Sequence, residues 1–341
     1  MMAGTAFHSR RRLDLSNLGR GLAVAILVAI APLPLCAQDQ KMVRIGVIRS
    51  GAIPVLESNE KGFEAALAGV GLKEGVNATF DVQTVGNDPE RALAAVQKFL
   101  SDKVVLIHSM GTGPTAAAVK ATNSVPVVFS AVTDPVGAGI VPAGGAPGKP
   151  TGTNVTGVSD RWPIALQLET YSKIAPNVKK WGTLYNPAES NSVTQVNSLR
   201  VAARKLGLEL VEVTVKDTSD TAAAAQALAQ KVQAIFIVSD NTVAAAIQSV
   251  ADACHANRIP FFTGSFGSLG RGALAAYGVD YFLVGYAAGK KAVLALRGVN
   301  PGLIPWDLAE HFGLTINLKV AKALGIAVPA DMLRVADRVM E

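Results

Sequence analysis

Six short segments of this sequence gather side chains suited to holding a small charged molecule. They are Arg49-Ser50-Gly51, Ser109 to Pro114, Ala131 to Pro135, Asn186 to Ser192, Ser239 to Thr242 and Gly264 to Gly267. Asp134, Glu189 and Asp240 are carboxylates that suit an ammonium group. Ser50, Thr112, Thr133, Asn186, Ser190, Asn191 and Asn241 add hydroxyls and amides, Gly111 lies among them, and Phe266 is an aromatic that could face a ligand. Each segment runs into an expected helix, so free backbone N–H groups would suit a carboxylate. Together these groups fit a zwitterion. Any one Asp, Ser or Asn taken alone also reads as a helix cap. The recurrence of such loops in both halves of the chain favours a shared cleft.

Other chemistries lack their residues. Gly111-Thr112-Gly113 has no third glycine of a dinucleotide fingerprint and is followed by Pro114. The chain has no phosphate-binding G-x-x-x-x-G-K-[ST] loop, no H-E-x-x-H and no G-x-S-x-G elbow. Two cysteines exclude a disulfide scaffold or a Cys-rich zinc site, and four histidines on separate elements leave no multi-His metal site. No cofactor, metal or catalytic group is expected.

The elements that position these loops alternate strand and helix. Val43–Ile48, Thr79–Val85, Val104–His108 and Pro126–Phe129 read as strands. Asn59–Ala68, Arg91–Leu100 and Gly113–Thr122 read as the helices between them, with Asp88 as a cap and Pro89 at the first helical position. A Gly/Pro-rich stretch, 133–153, follows. The alternation then restarts with helix Trp162–Ile174, strand Lys180–Tyr185, helix Ser192–Leu206, strand Leu208–Val215, helix Thr221–Lys231, strand Ala234–Val238, helix Thr242–Ala256 and strand Ile259–Thr263. Regular alternation of this kind specifies parallel sheets covered by helices on both faces. In such sheets ligands bind beyond the carboxyl ends of the strands, where the six segments lie. The halves join near Gly157–Pro163. The tail (strand Gly272–Tyr277, helix Tyr281–Leu296, strand Phe312–Ile316, helix Leu318–Leu324) completes both. The expected division is 43–158 plus about 268–305 for the first lobe, and 159–267 plus about 308–341 for the second.

The first 37 residues read as an address. Arg10, Arg11, Arg12 and Arg20 precede an apolar run, 21–35, broken by Pro32 and Pro34 and followed by Cys36-Ala37. That run is short for a bilayer span, which needs about 20 residues, and the layout is that of a secretory signal peptide. Lipidation at Cys36, a twin-arginine signal and an uncut anchor are the alternatives. The mature chain is expected to be exported to the periplasm, with Cys254 as its one cysteine.

Of 341 residues, 50% are apolar and 17% charged, which excludes a disordered chain and gives length for two domains. The net charge is +6, of which the first 37 residues carry +3, and no Lys/Arg run follows residue 12. This is no nucleic-acid-binding pattern.

Pro126–Val136, Gly152–Ser159, Asn186–Ser192 and Ser239–Val243, with Gly272–Gly285 and 314–329 in the tail, resemble the ABC-transporter substrate-binding proteins of the tryptophan/tyrosine uptake family. The resemblance spans roughly 43–336. It implies a type I periplasmic-binding-protein fold, with two Rossmann-like lobes joined by three crossovers. It also implies a small-molecule ligand, a membrane permease and an ATPase as partners, and a monomeric protein with no enzymatic activity. By motif, Thr133 and Asp134 line the cleft from one lobe, and Asn186, Glu189, Ser190, Asn191, Asp240 and Asn241 from the other. Family members are associated with amino acids, aromatic ones among them. On this reading Asp134, Glu189 or Asp240 pairs with a ligand ammonium, and N–H groups near 111–115 or 190–192 take its carboxylate. The first loop departs from the family: Gly51-Ala52-Ile53-Pro54-Val55 is apolar where many relatives are more polar. An exported sensor that docks on a membrane receptor, or an exported enzyme on the same fold, are the competing readings.

Overall fold

The computed structural model describes residues 42–341. The proposed signal segment, with Cys36, lies outside the described residues.

Strand β1 (Val43–Arg49) leads to α1 (Pro54–Ala68), β2 (Ala78–Thr84), α2 (Pro89–Ser101), β3 (Leu106–Met110), α3 (Thr112–Ala121), β4 (Val127–Ser130) and, after the Gly/Pro-rich loop, β5 (Val155–Ser159). Helix α2 illustrates why these segments fold as they do. The Asp88 carboxylate accepts from the backbone N–H of Glu90 and Arg91, Pro89 needs no partner at the first position, and Ala92, Ala95, Val96 and Phe99 bury one stripe. All five residues of β3 and of β5 are buried, as strands covered on both faces must be.

The chain then enters a second sheet through α4 (Ile164–Ile174), β6 (Lys180–Tyr185), α5 (Ser190–Lys205), β7 (Glu209–Thr214), α6 (Thr221–Ala229), β8 (Ala234–Ile237), α7 (Asn241–Ala245), α8 (Ile247–Ala256), β9 (Phe261–Thr263) and β10 (Ala275–Val279). Helix α9 (Tyr281–Leu296) returns to pack on α1, and β11 (Asp307–Leu308) joins the edge of the first sheet. The chain ends in the second lobe with β12 (Phe312–Asn317), α10 (Leu318–Leu324), α11 (Ala330–Val335) and β13 (Arg338–Met340).

The first sheet runs β11-β5-β4-β3-β1-β2, and the second β13-β12-β10-β9-β8-β6-β7. All pairs are parallel except β10 with β12. Apolar clusters cover both faces of each sheet. Phe63, Leu67, Val284 and Ala288 cover one face of the first and Val96, Phe99, Ile107 and Val127 the other. Trp181, Phe236 and Leu199 pack on one face of the second and Leu228, Val250 and Phe261 on the other. The result is two Rossmann-like lobes of the expected α/β class, with chain crossings after β5, after β10 and after β11.

Several expected boundaries are corrected. The segment from about 268 was assigned to the first lobe, but β10 extends the second sheet, where Ala275 and Ala276 pair with Phe262 and Thr263. Only α9 onward returns. The single helix expected over Thr242–Ala256 is two, broken at Ala246 (φ −112°, ψ 24°). No glycine or proline marks that break. The short strands β5, β11 and β13 and helix α11 carry too few residues for a periodic signal.

Candidate functional site

The carboxyl ends of both sheets face one another across a cavity of about 180 Å³. A single buried water needs only about 10–15 Å³. The first lobe contributes Ala52 to Leu56, Thr112, Ala131 and Thr133, and the second contributes Asn191, Ile237 to Asn241, Ala244, Ala245, Ile247, Gln248, Thr263 and the turn that follows it. Asp160, Trp162 and Tyr281 line it from the two crossing segments.

Helices α1 and α3 point their N-termini at this space. Neither is capped by a side chain: Ile53 precedes Pro54 in α1, and Gly111 (φ +93°) precedes Thr112 in α3. A Cβ at residue 111 would meet Ser50 Oγ, so only glycine fits there. In α3 the Thr112 and Gly113 N–H groups precede the first intrahelical bond; in α1 Pro54 has no N–H and Leu56 N–H donates to the Ile53 carbonyl, which leaves Val55, and the helix dipole adds partial positive charge at both. Ala131 also stands at positive φ, 52°, beside the cavity, a conformation that surrounding structure must impose on a non-glycine residue.

At the crossings, Asp160 is buried at 2% exposure. Its Oδ2 accepts from the Tyr281 hydroxyl at 2.6 Å and its Oδ1 from Thr133 Oγ1 at 3.3 Å, while Trp162 Nε1 donates to the Tyr281 oxygen at 3.3 Å. Burial pushes the Asp160 carboxyl above its ordinary range despite these two donors, and burial also raises the Tyr281 hydroxyl. A carboxylate enclosed in this way is stabilised by a cation.

The second lobe's polar groups are largely occupied by one another. Asp240 caps α7 through Val243 N–H at 2.7 Å and accepts from Asn186 N–H at 2.7 Å. Burial and then the Glu189 charge raise its carboxyl to about 7. Glu189 accepts from the backbone N–H of Asn241 and Thr242, each at 2.9 Å, from the side chains of both, and from Asn191.

Of the twelve residues singled out from the sequence, Thr112, Thr133, Asn191, Asp240 and Asn241 line the cavity. Ser50 sits just outside, donating to Asn241 Oδ1 at 2.9 Å. Gly111 positions α3. The other five do not line it. Asp134 is not among the lining residues; its carboxylate pairs with Arg161 at 2.6 Å and caps Gly137 N–H. Glu189, Asn186 and Ser190 do not line the cavity either, because the first two are held inside the second lobe and Ser190 is exposed at the start of α5. Phe266 packs at the edge of the second lobe's core. Asp160, Trp162 and Tyr281 were missed. The signal available was an Asp and a Trp inside the expected join, Gly157–Pro163. The apolar first loop, noted as unusual, forms a wall of the cavity.

The family model for ABC transporter substrate binding protein matches residues 34–340. A tyrosine-binding protein of Clostridioides difficile (strain R20291) is 36% identical over 286 residues, 84% of this chain and 82% of that protein. The ABC domain from Streptococcus pneumoniae in complex with L-Trp superposes with a TM-score of 0.83 at 31% identity, covering 88% of this chain and 100% of that one. A ligand-free, open structure of a substrate binding protein with adhesive properties from Clostridium difficile gives 0.65 at 32% identity, covering 88% and 99%. Sequence identity is nearly the same in the two structural comparisons, and this chain is nearer in shape to the L-Trp complex than to the open structure.

Proposed function

The chain belongs to the ABC transporter substrate-binding protein family, and we propose that its ligand is an aromatic amino acid held as a zwitterion in the closed cavity. One observation carries this reading: the cavity between the lobes is lined by a buried carboxylate, Asp160, by two helix N-termini without side-chain caps and by apolar walls. Asp160 takes the ammonium, with Tyr281 and Thr133 holding the carboxylate in place. The N–H groups at the start of α3, with Thr112, take the ligand carboxylate. The ring lies among Ile53, Pro54, Trp162, Ile237 and Ile247. The relatives that bind tyrosine or tryptophan support the ring. The apolar 52–56 loop supports it independently.

The family binds substrate and does not transform it. We place the protein outside the cytoplasm, exported by residues 1–37 and delivering its ligand, as a monomer, to a membrane permease driven by an ATPase. Among the described residues, no helix is long and apolar enough to cross a membrane.

Titration calorimetry with L-tyrosine, L-tryptophan and L-phenylalanine tests the ligand. Binding should need both charges, so tryptamine and indole-3-propionate, each lacking one, should bind at least tenfold more weakly than L-tryptophan. Equal binding of these analogues, or no binding of any aromatic amino acid, overturns the assignment. Loss of uptake of the same amino acid in cells lacking the protein tests transport against a sensor role.

A further inference from the structure

The first lobe reaches across the cleft at two points outside the cavity, and both contacts converge on one group. Asn87, in the turn between β2 and α2, donates through Nδ2 to Glu189 Oε1 at 2.8 Å and to Thr242 Oγ1 at 3.2 Å. Ser50 Oγ donates to Asn241 Oδ1 at 2.9 Å, and Asn241 Nδ2 donates to Glu189 Oε2 at 2.6 Å. Every other donor to Glu189 comes from the second lobe. Glu189 is 6% exposed yet does not line the cavity, whereas its neighbours Asn191, Asp240 and Asn241 do.

We propose that Glu189 is a positioning residue for ligand retention: it receives Asn87 and, through Asn241, Ser50, and so latches the lobes shut without touching the ligand. The proposal rests on the cavity being the ligand site. When the lobes part, Asn87 and Ser50 leave with the first sheet, while Asn191, Asn241 and Thr242 stay with the second. The cross-lobe bonds therefore exist only in the closed form, and bonds of that kind set its population. A buried carboxylate is a strong acceptor for donors of this kind. Because Asn241 and Asp240 line the cavity from inside, and Glu189 and Ser50 hold the same loop from outside, closing the cavity and engaging the latch are one movement.

The test uses Asn87→Ala and Asn87→Asp, with dissociation of L-tyrosine and L-tryptophan followed by Trp162 fluorescence in stopped flow. It also uses spin-label distances between cysteines placed at the exposed positions Leu93 on α2 and Val201 on α5. Cys254 is buried and free, so it does not compete for label. Asn87→Ala should raise the dissociation rate about tenfold with little change in association. It should also lower the closed fraction. Asn87→Asp sets a second carboxylate against Glu189. Two carboxylates so close repel, so it should be worse than Asn87→Ala in both dissociation rate and closed fraction. Other charged groups near the contact are Asp240 and the Lys216–Asp220 turn on one side and Asp88 and Arg91 on the other. The alanine variant keeps all of them, so the difference between the two variants isolates the new pair. A purely structural role for Asn87 would lower stability in both variants and leave the closed fraction of the folded protein unchanged. Dissociation rates and closed fractions equal to the parent's in both variants overturn the latch, as does a parent with no closed population under any condition. If no aromatic amino acid binds, the ligand reading fails, and the free protein's distance distribution still decides the latch.

Discussion

The two walls of the cleft solve the same electrostatic problem in opposite ways. On the second lobe, Glu189, Asp240, Asn241 and Thr242 bond to one another, and the first-turn N–H groups of α7 are consumed by Glu189 and Asp240. On the first lobe and at the crossings, α1 and α3 present uncapped N-termini, and Asp160 has only two side-chain donors. The lesson is that a crowd of polar residues is not itself a binding surface. On the proposed reading, what a ligand uses is what the protein has left unsatisfied, at the wall with fewer polar side chains.

Four substitutions sharpen or break this contrast. The largest effect should come from Asp160→Asn, which removes the charge meant for the ammonium. Affinity for the cognate amino acid should fall about tenfold to a hundredfold, measured by calorimetry. Burial raises the Asp160 carboxyl in the empty protein, and a bound ammonium favours its ionised form. Ligand binding should therefore release a proton and weaken as the pH falls, and Asp160→Asn should abolish that dependence. Unchanged affinity in this variant would move the site to the second lobe.

Next is Tyr281→Phe, which strips one donor from Asp160 and the acceptor for Trp162. It should cost about threefold to tenfold in affinity while the protein still folds. Asp240→Asn addresses the opposite wall and should act on stability more than on affinity. The folded-state value of about 7 lies above the ordinary 3.8. The folded form therefore binds this proton more tightly than the unfolded one, so its contribution is full below about 3.8 and is lost as the pH rises from there through 7. The melting temperature of Asp240→Asn should lack that part of the pH slope, whatever its absolute value. The smallest effect should come from Asp134→Ala. Its carboxylate pairs with Arg161 outside the cavity, and affinity should change by less than about twofold, as for other surface ion pairs.

The parent architecture was legible because its causes are local. Short, mostly apolar strands such as Val127–Ser130 and capped helices such as 89–101 declare themselves by composition and spacing. The second-sheet assignment of β10 was not, since an Ala-rich strand can extend either lobe and the choice depends on packing with Phe262 and Ile316. The cavity lining was half legible. Loops at strand ends located Thr112, Thr133, Asn191, Asp240 and Asn241. Residue type could not say which carboxylate is left over after the protein has satisfied itself. Glu189 and Asp134 looked like ligand groups because their partners, Asn87 and Arg161, lie 102 and 27 positions away in sequence. Asp160 carried no local motif, only its place in the join.

Helices α1 and α9 meet through glycines. A Cβ at Gly62 would strike the Phe282 carbonyl, one at Gly285 the Asn59 carbonyl, and one at Gly289 the Ala66 side chain and the Phe63 backbone. None of the three lines the cavity, yet they weld to the first lobe a helix that follows directly on a strand of the second. A saturation mutagenesis scan scored on ligand uptake alone would record these three positions as intolerant and invite their assignment to the binding site. Such a map would trace a seam where the chain is stitched together, some distance from anything it binds.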